Sequence, residues 1–140
     1  MCIRDSVHSG HPIFTLPWSV EELAVAFPAV KVILGHMGHG NVVYINASIE
    51  IAARNANVYL ETSGMPMHTK IKEAVDRVGV ERVLYGSDVP FHHPAVEILR
   101  VQVSGLAPAD LDRVLRTNSR TLFLGSRSRE PEEVTSPGAV

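Results

Sequence analysis

Short apolar runs that stop on a polar residue recur along this chain at nearly one spacing, and each is followed by a segment of helical period. "VKVILGHMG", "VYLETSG" and "RVLYGSD" are the clearest three. "VKVIL" has four apolar residues out of five, the pattern of a strand buried on both faces rather than one half-facing water. Between the runs, "NVVYINASIEIAARN" (41–55) and "HTKIKEAVDRVG" (68–79) carry helical periodicity, the second closed by Gly79. Alternating buried strands and helices predict an α/β architecture with a parallel sheet.

The flanks extend the pattern. "SVEELAVAFP" predicts a short helix with Ser19 at its N-cap and Glu21 and Glu22 in its first turn. After Pro94, "PAVEILRVQVSG" and "PADLDRVLRT" each open on a proline at a helix entrance, the second with Asp110 in its first turn, and "NSRTLFLG" reads as a final capped turn ending at Gly125. The opening "MCIRDS" does not read as a strand, a cap or a signal, and is expected to be a non-native leader over residues 1–6. The tail from Ser126 to Val140 has no apolar period and is expected to be disordered.

The totals exclude several classes. At 140 residues, 45% hydrophobic and 20% charged, one soluble globular domain is expected, here spanning 7–125. The formal charge of -2, from 13 basic and 15 acidic residues mixed along the chain, provides no basic stripe for nucleic acid or an anionic membrane. No apolar run approaches the roughly 20 residues that cross a bilayer, and no signal peptide opens the chain, so a cytoplasmic protein is the plain reading. A single cysteine, Cys2, excludes a disulfide framework and a cysteine zinc knuckle within one chain.

Two α/β folds compete. A doubly wound sheet calls for a phosphate-binding signal, and neither G-x-G-x-x-G nor G-x-x-x-x-G-K-[ST] occurs. A (β/α)₈ barrel calls for polar residues at the C-terminal ends of successive strands. His8 in "VHSG", His36 in "LGHMG", Glu61 and Thr62 in "LETSG" and Asp88 in "GSD" meet that demand, about 26 to 28 residues apart, which is one strand, one helix and two loops.

Two histidines and an aspartate on one rim suit a divalent metal, because neutral imidazole and carboxylate both bind zinc, manganese or iron; softness favours zinc. Such an ion lowers the pKa of bound water from 15.7 to about 7. Taken singly, each residue has an ordinary structural role: a histidine after a strand is usually a hydrogen-bonded core or cap residue, and an aspartate before "VP" is usually an N-cap. The series, rather than any member, carries the metal reading.

"VHSG", "VILGHMGHG", "VYLETSG", "RVLYGSDVPF" and "RVLRTNSRTLFL" resemble, in order, motifs of the amidohydrolase-related (amidohydrolase 2) family of metal-dependent hydrolases, which includes aminocarboxymuconate-semialdehyde and resorcylate-type decarboxylases. The resemblance covers Val7 to Gly125. It implies a TIM barrel of which this chain is the C-terminal half, strands 5–8 and the closing helix. It also implies His8 as the fifth-strand metal ligand and Asp88 as the eighth-strand ligand that touches metal-bound water. By the same resemblance His36 polarises substrate or water as acid or base, and Glu61 and Thr62 support the site rather than react. His39, His92 and His93 lie near the same rim and could meet an acidic substrate.

The departures are as informative. No H-x-H pair, expected on the family's first strand, occurs in the chain, and 140 residues fall well short of the about 250 of a complete barrel. Half a barrel should expose two sheet edges and an inner layer of side chains, so instability or self-association is expected, and the missing N-terminal half-barrel is required for activity. The parent is expected to be a hydrolase, or a decarboxylase of the same family, acting on a small carboxylate-bearing or aromatic molecule, with a homo-oligomer among the states open to it. The chain alone is expected to be inactive. The contrasting class is a metal-free half-barrel that binds a partner.

Overall fold

The computed structural model describes residues 4–11 and 15–125. Four strands, β1 (Arg4–His8), β2 (Lys31–Gly35), β3 (Val58–Glu61) and β4 (Val83–Leu84), form one sheet in the order β1-β2-β3-β4. Every pair is parallel, with Val7 opposite Leu34, Leu34 opposite Leu60 and Leu60 opposite Val83. Parallel neighbours require a crossover, supplied by α1 (Pro17–Ala26), α2 (Val42–Arg54) and α3 (Thr69–Val78). The chain closes with α4 (Pro94–Gln102), α5 (Pro108–Asp112), a π-helical turn over Arg113–Thr117 and α6 (Asn118–Leu124).

The crossover helices share one face of the sheet. Val32, Leu34, Val58, Leu60 and Val83 are 0–1% exposed and join one apolar cluster with Val20 and Ala24 of α1, Ile45 and Ile49 of α2, and Ile71 and Ala74 of α3. Strand neighbours alternate in direction, so Ile33, Tyr59 and Leu84 face the other way, and α6 covers them through Leu122. Helices on one face with strands in sequential order make a barrel wall; a doubly wound sheet places crossovers on both.

Arg82 ties the helix layer to the sheet. Its guanidinium donates to Ala52 O at 2.6 Å and Asn55 O at 3.1 Å near the end of α2, and to Val78 O at 2.7 Å at the end of α3. Those carbonyls have no partner within their own helices, so one side chain satisfies two C-termini. Among the described residues no helix is long and apolar enough to cross a membrane.

Four expectations need correction. Residues 4–6, taken as part of a non-strand leader, pair Arg4 with Lys31, Asp5 with Val32 and Ser6 with Ile33, because backbone groups alone suffice for a parallel ladder. Helix α1 begins at Pro17 with Leu16 at the N-cap and no acid in its first turn, rather than on Ser19; proline lacks the N–H that a first turn leaves unpaired anyway. The third run is a strand only over Val83–Leu84, since Tyr85 N turns away to donate to Val114 O at 3.0 Å. The inner layer is covered in part: Ile33 and Leu84 are each 2% exposed beneath α6, while Tyr59 of the same face is only partly buried.

The segments 41–55 and 68–79 form helices as read, with Asn41 Oδ1 capping α2 by accepting from Val43 N at 2.9 Å and Gly79 (φ +90°) closing α3. Asp110 lies in the first turn of α5 as expected. Residues 1–3 and the tail from Ser126 lie outside the described residues.

Candidate metal and acid-base site

The ends of β1 and β2 are laced together just where the histidines begin. Ser9 N and Oγ both donate to Gly35 O, at 3.1 and 2.8 Å, and Ser9 Oγ accepts from Gly38 N at 3.3 Å. His8 is the last residue of β1, opposite Gly35, and His36 follows β2 directly. Their rings meet edge to face with centroids 4.7 Å apart; His39 completes a triangle at 5.6 Å from His36 and 6.4 Å from His8.

Positive φ over four consecutive residues aims these rings: His36 at 63°, Met37 at 44°, Gly38 at 92° and His39 at 53°. Left-handed conformations cost non-glycine residues about 1–3 kcal/mol each and persist only where surroundings hold them. Here Met37 is fully buried in the apolar cluster and anchors the turn. Such a run is expected at a site whose side chains must be aimed.

Glu61, at the end of β3, fixes the turn from the side. Its Oε2 accepts from His36 N at 3.0 Å and from Ser63 Oγ at 2.8 Å, while Oε1 accepts from Ser63 N at 2.6 Å. The carboxylate lies against Gly86, where an added Cβ would stand 1.7 Å from Oε1. His36 Nδ1 sits 3.0 Å from both Ser63 O and Ser63 Oγ. A carbonyl oxygen can only accept, so the proton belongs on Nδ1, and Nε2 of the neutral ring is left bare as a base or ligand.

Asp88 follows β4 by a short loop and has φ 51°. Its carbonyl accepts from Phe91 N at 2.8 Å and His92 N at 3.1 Å, folding the chain back on itself. Burial of the His8 ring, although the residue as a whole is exposed, holds its pKa below the ordinary histidine value; His36, His39 and His11 push the same way, and Asp88 opposes them. A lowered pKa keeps His8 neutral, the form that binds a metal.

The donor types suit a divalent ion, but their number is short. Among the described residues no group of three or more His, Cys, Asp or Glu side chains is arranged to hold one. The Nδ1 of His39 is buried without a hydrogen-bond partner, a polar atom left over at the same rim. His8 and Asp88 therefore fit as part of a ligand set and do not make a site alone.

The remaining sequence candidates divide. His92 is brought to the histidines: a Cβ built on Gly64 would lie 3.1 Å from His92 Cε1, 3.3 Å from His36 Nδ1 and 3.4 Å from His39 Nδ1. His93 is engaged elsewhere, its Nδ1 accepting from Ala95 N at 3.2 Å as the N-cap of α4. Thr62 is buried in the wall, its N–H donating to Leu84 O at 3.0 Å.

Sequence reasoning missed Glu97, which is 1% exposed and bonds to His92, Arg100 and Gly64. A signal existed: Glu97 stands four residues before buried Val101, on the inward stripe of α4, while Val96 and Leu99 face out at 47% and 54% exposure. A cavity of about 260 Å³ lies at the opposite end of the sheet, where β2 starts, among Lys31, Tyr59, Glu81 and Arg113. It is smaller than the usual ligand cleft and holds none of the rim histidines, so the rim is the better candidate.

The family model described as Amidohydrolase matches residues 7–124. This chain belongs to the amidohydrolase family. It is 28% identical, over 148 aligned residues, to the gamma-resorcylate decarboxylase of Rhizobium radiobacter, covering 84% of the amidohydrolase chain and 45% of that enzyme. Among solved structures it resembles an uncharacterized TIM-barrel protein from Bordetella bronchiseptica, with a TM-score of 0.69, 19% identity and coverage of 86% and 46% of the two chains. A second likeness is to dihydroxybenzoic acid decarboxylase from Polaromonas sp. JS666, with bound manganese and the inhibitor 2-nitroresorcinol: TM-score 0.60, 21% identity, 84% and 43% covered. The amidohydrolase chain thus spans just under half the length of the relatives it matches.

Proposed function

We propose that this amidohydrolase chain is strands 5–8 and the closing helices of a metal-dependent decarboxylase acting on hydroxybenzoate-type acids. The observation that carries the reading is the meeting of His8 and His36 at 4.7 Å on neighbouring parallel strand ends, with Asp88 acting on the same ring. Decarboxylation takes precedence over the hydrolysis expected first, because the curated relatives that match are named gamma-resorcylate decarboxylases. Manganese, named with the Polaromonas relative, takes precedence over zinc, and the Asp88 carboxylate is the kind of oxygen donor it favours.

His8 and Asp88 would supply two ligands, with the others outside this chain. A divalent ion held there supplies Lewis acidity that orients an anionic substrate. Loss of carbon dioxide leaves the electron pair of the broken C–C bond on the ring carbon, and that carbon must take a proton. In this reading His36 and Asp88 handle that proton, His36 through Nε2, which is supported by Ser63 holding its Nδ1 side.

Co-expression with the remaining part of the Rhizobium radiobacter enzyme tests the proposal. Manganese-dependent release of carbon dioxide from 2,6-dihydroxybenzoate, abolished by Asp88→Asn, is expected. A folded hybrid that stays inert with manganese, zinc or iron would overturn it. The shortage of ligands among the described residues favours a second reading, a metal-free binding module, and a monomeric, cooperatively folding chain indifferent to manganese would support that instead.

A further inference from the structure

Glu97 is the one fully buried acid among the described residues, and the proposed reaction gives it no task. It lies on α4, outside the strand-end series. Its Oε1 accepts from Arg100 at 2.6 Å and faces His92 Nδ1 at 2.9 Å, while Oε2 accepts from Gly64 N at 3.2 Å. Three elements converge on one carboxylate: the helix that carries it, the loop after β3 through Gly64, and the loop after β4 through His92.

Both loops lead to the histidine cluster. Gly64 has φ +66°, and a Cβ built on it would come within 3.4 Å of His36, His39 and His92 together. A side chain there would be strained by the positive φ and would crowd all three rings at once. The loop carrying His92 is otherwise lightly held, with Phe91 84% and Val89 60% exposed. Without Glu97 nothing described holds the ring of His92 on that side.

Buried ion pairs are weak devices for stability, since an apolar residue of similar size often serves as well. Their value lies in fixing geometry. A carboxylate can only accept, so it selects the ring form of His92 with the proton on Nδ1, and Nε2 of the neutral ring is left bare. We propose that Glu97 is a positioning residue that holds His92 beside His36 and His39 with Nε2 as acceptor for a substrate hydroxyl. This deepens the proposed function and rests on it for the identity of the hydroxyl donor, which in a hydroxybenzoate is the phenol.

The test reads the ring before it reads activity. In mildly alkaline buffer, long-range nitrogen–proton spectra of the ¹⁵N-labelled chain should show His92 protonated on Nδ1. Glu97→Leu, which leaves no acceptor facing the ring, should lose that signature, and Glu97→Leu/Arg100→Met, which also removes the cation left without its partner, decides the matter where the single variant does not fold. In the manganese-loaded hybrid the same variants should lower kcat/KM about 10- to 100-fold, the size seen when a residue that orients another is removed. His92 protonated on Nε2 in the parent chain, or an unchanged Nδ1–H signature in a folded variant, overturns the proposal. A hybrid that releases no carbon dioxide while the Nδ1–H signature is present and Glu97-dependent overturns the decarboxylase reading and leaves Glu97's role standing.

Discussion

The carboxylate of Glu61 at the end of β3 holds the backbone N–H of His36 at the end of β2, at 3.0 Å, so one strand end sets the conformation of its neighbour's catalytic candidate. The bond works only while Gly86 leaves room for it. Gly86→Ala should push the carboxylate off its site and leave His36 N and Ser63 N without their acceptor. A loss of about 1–3 kcal/mol in denaturant unfolding is expected, with the His36 ring signals shifted. Unchanged stability would show that Glu61 relaxes at no cost.

Asp88 and Glu61 are both strand-end acids, yet the bonds of Glu61 are all spent on His36 and Ser63. In calorimetric titration of manganese into the hybrid, Asp88→Ala should abolish measurable binding, while Glu61→Ala should weaken it by about tenfold through misplaced neighbours. Equal losses would count against Asp88 as the ligand.

Asn118 closes the far end of the wall. Its Nδ2 donates to Val80 O at 2.6 Å and Val83 O at 2.9 Å, covering carbonyls beside the edge strand β4. Asn118→Ala should cost about 1–3 kcal/mol by leaving Val83 O unpaired, since Val80 O keeps the backbone N–H of Val83. Asn118→Asp should fare no better, since a carboxylate has no N–H to donate. A stability loss for alanine but not for aspartate would contradict the assignment.

Glu21 links α1 to α2 through Arg54 at 2.5 Å and Asn55 at 2.8 Å, and the bond to Arg54 is the main reason its pKa lies below the ordinary value. A carboxyl depressed in the folded state stabilises above its unfolded pKa and loses that contribution as pH falls through the folded one. Thermal unfolding of the parent chain against Glu21→Gln should therefore differ by about 0.5–1 kcal/mol at neutral pH. The gap should close below pH about 4. A gap that is independent of pH would assign the effect to packing.

The barrel wall was legible because its signals are local. Strands β2 and β3 and helices α2 and α3 follow from periodicity and capping that each segment carries within itself. His8, His36 and Asp88 were singled out as candidates for the same reason: each stands just beyond an apolar run, at a regular interval along the chain. Strand Arg4–Ser6 was not legible, since its pairing uses backbone atoms, and Asp5 and Ser6 are exposed with no pattern to read.

Glu97 marks the limit from the other side. Its chemistry depends on Gly64, 33 residues away, and on the turn that returns His92 to α4, contacts with no trace in local spacing. His92 and His93 are neighbours of identical type, and only packing sends one to the histidine cluster and the other to a helix cap. The amino-acid sequence alone determined the order of strands and helices, the rim and the family resemblance, because those depend on periodicity and on residue type at strand ends. Tertiary structure alone decided which side chains share a carboxylate and that α6 covers Ile33 and Leu84, because each is a matter of distance between segments that the chain brings together only on folding.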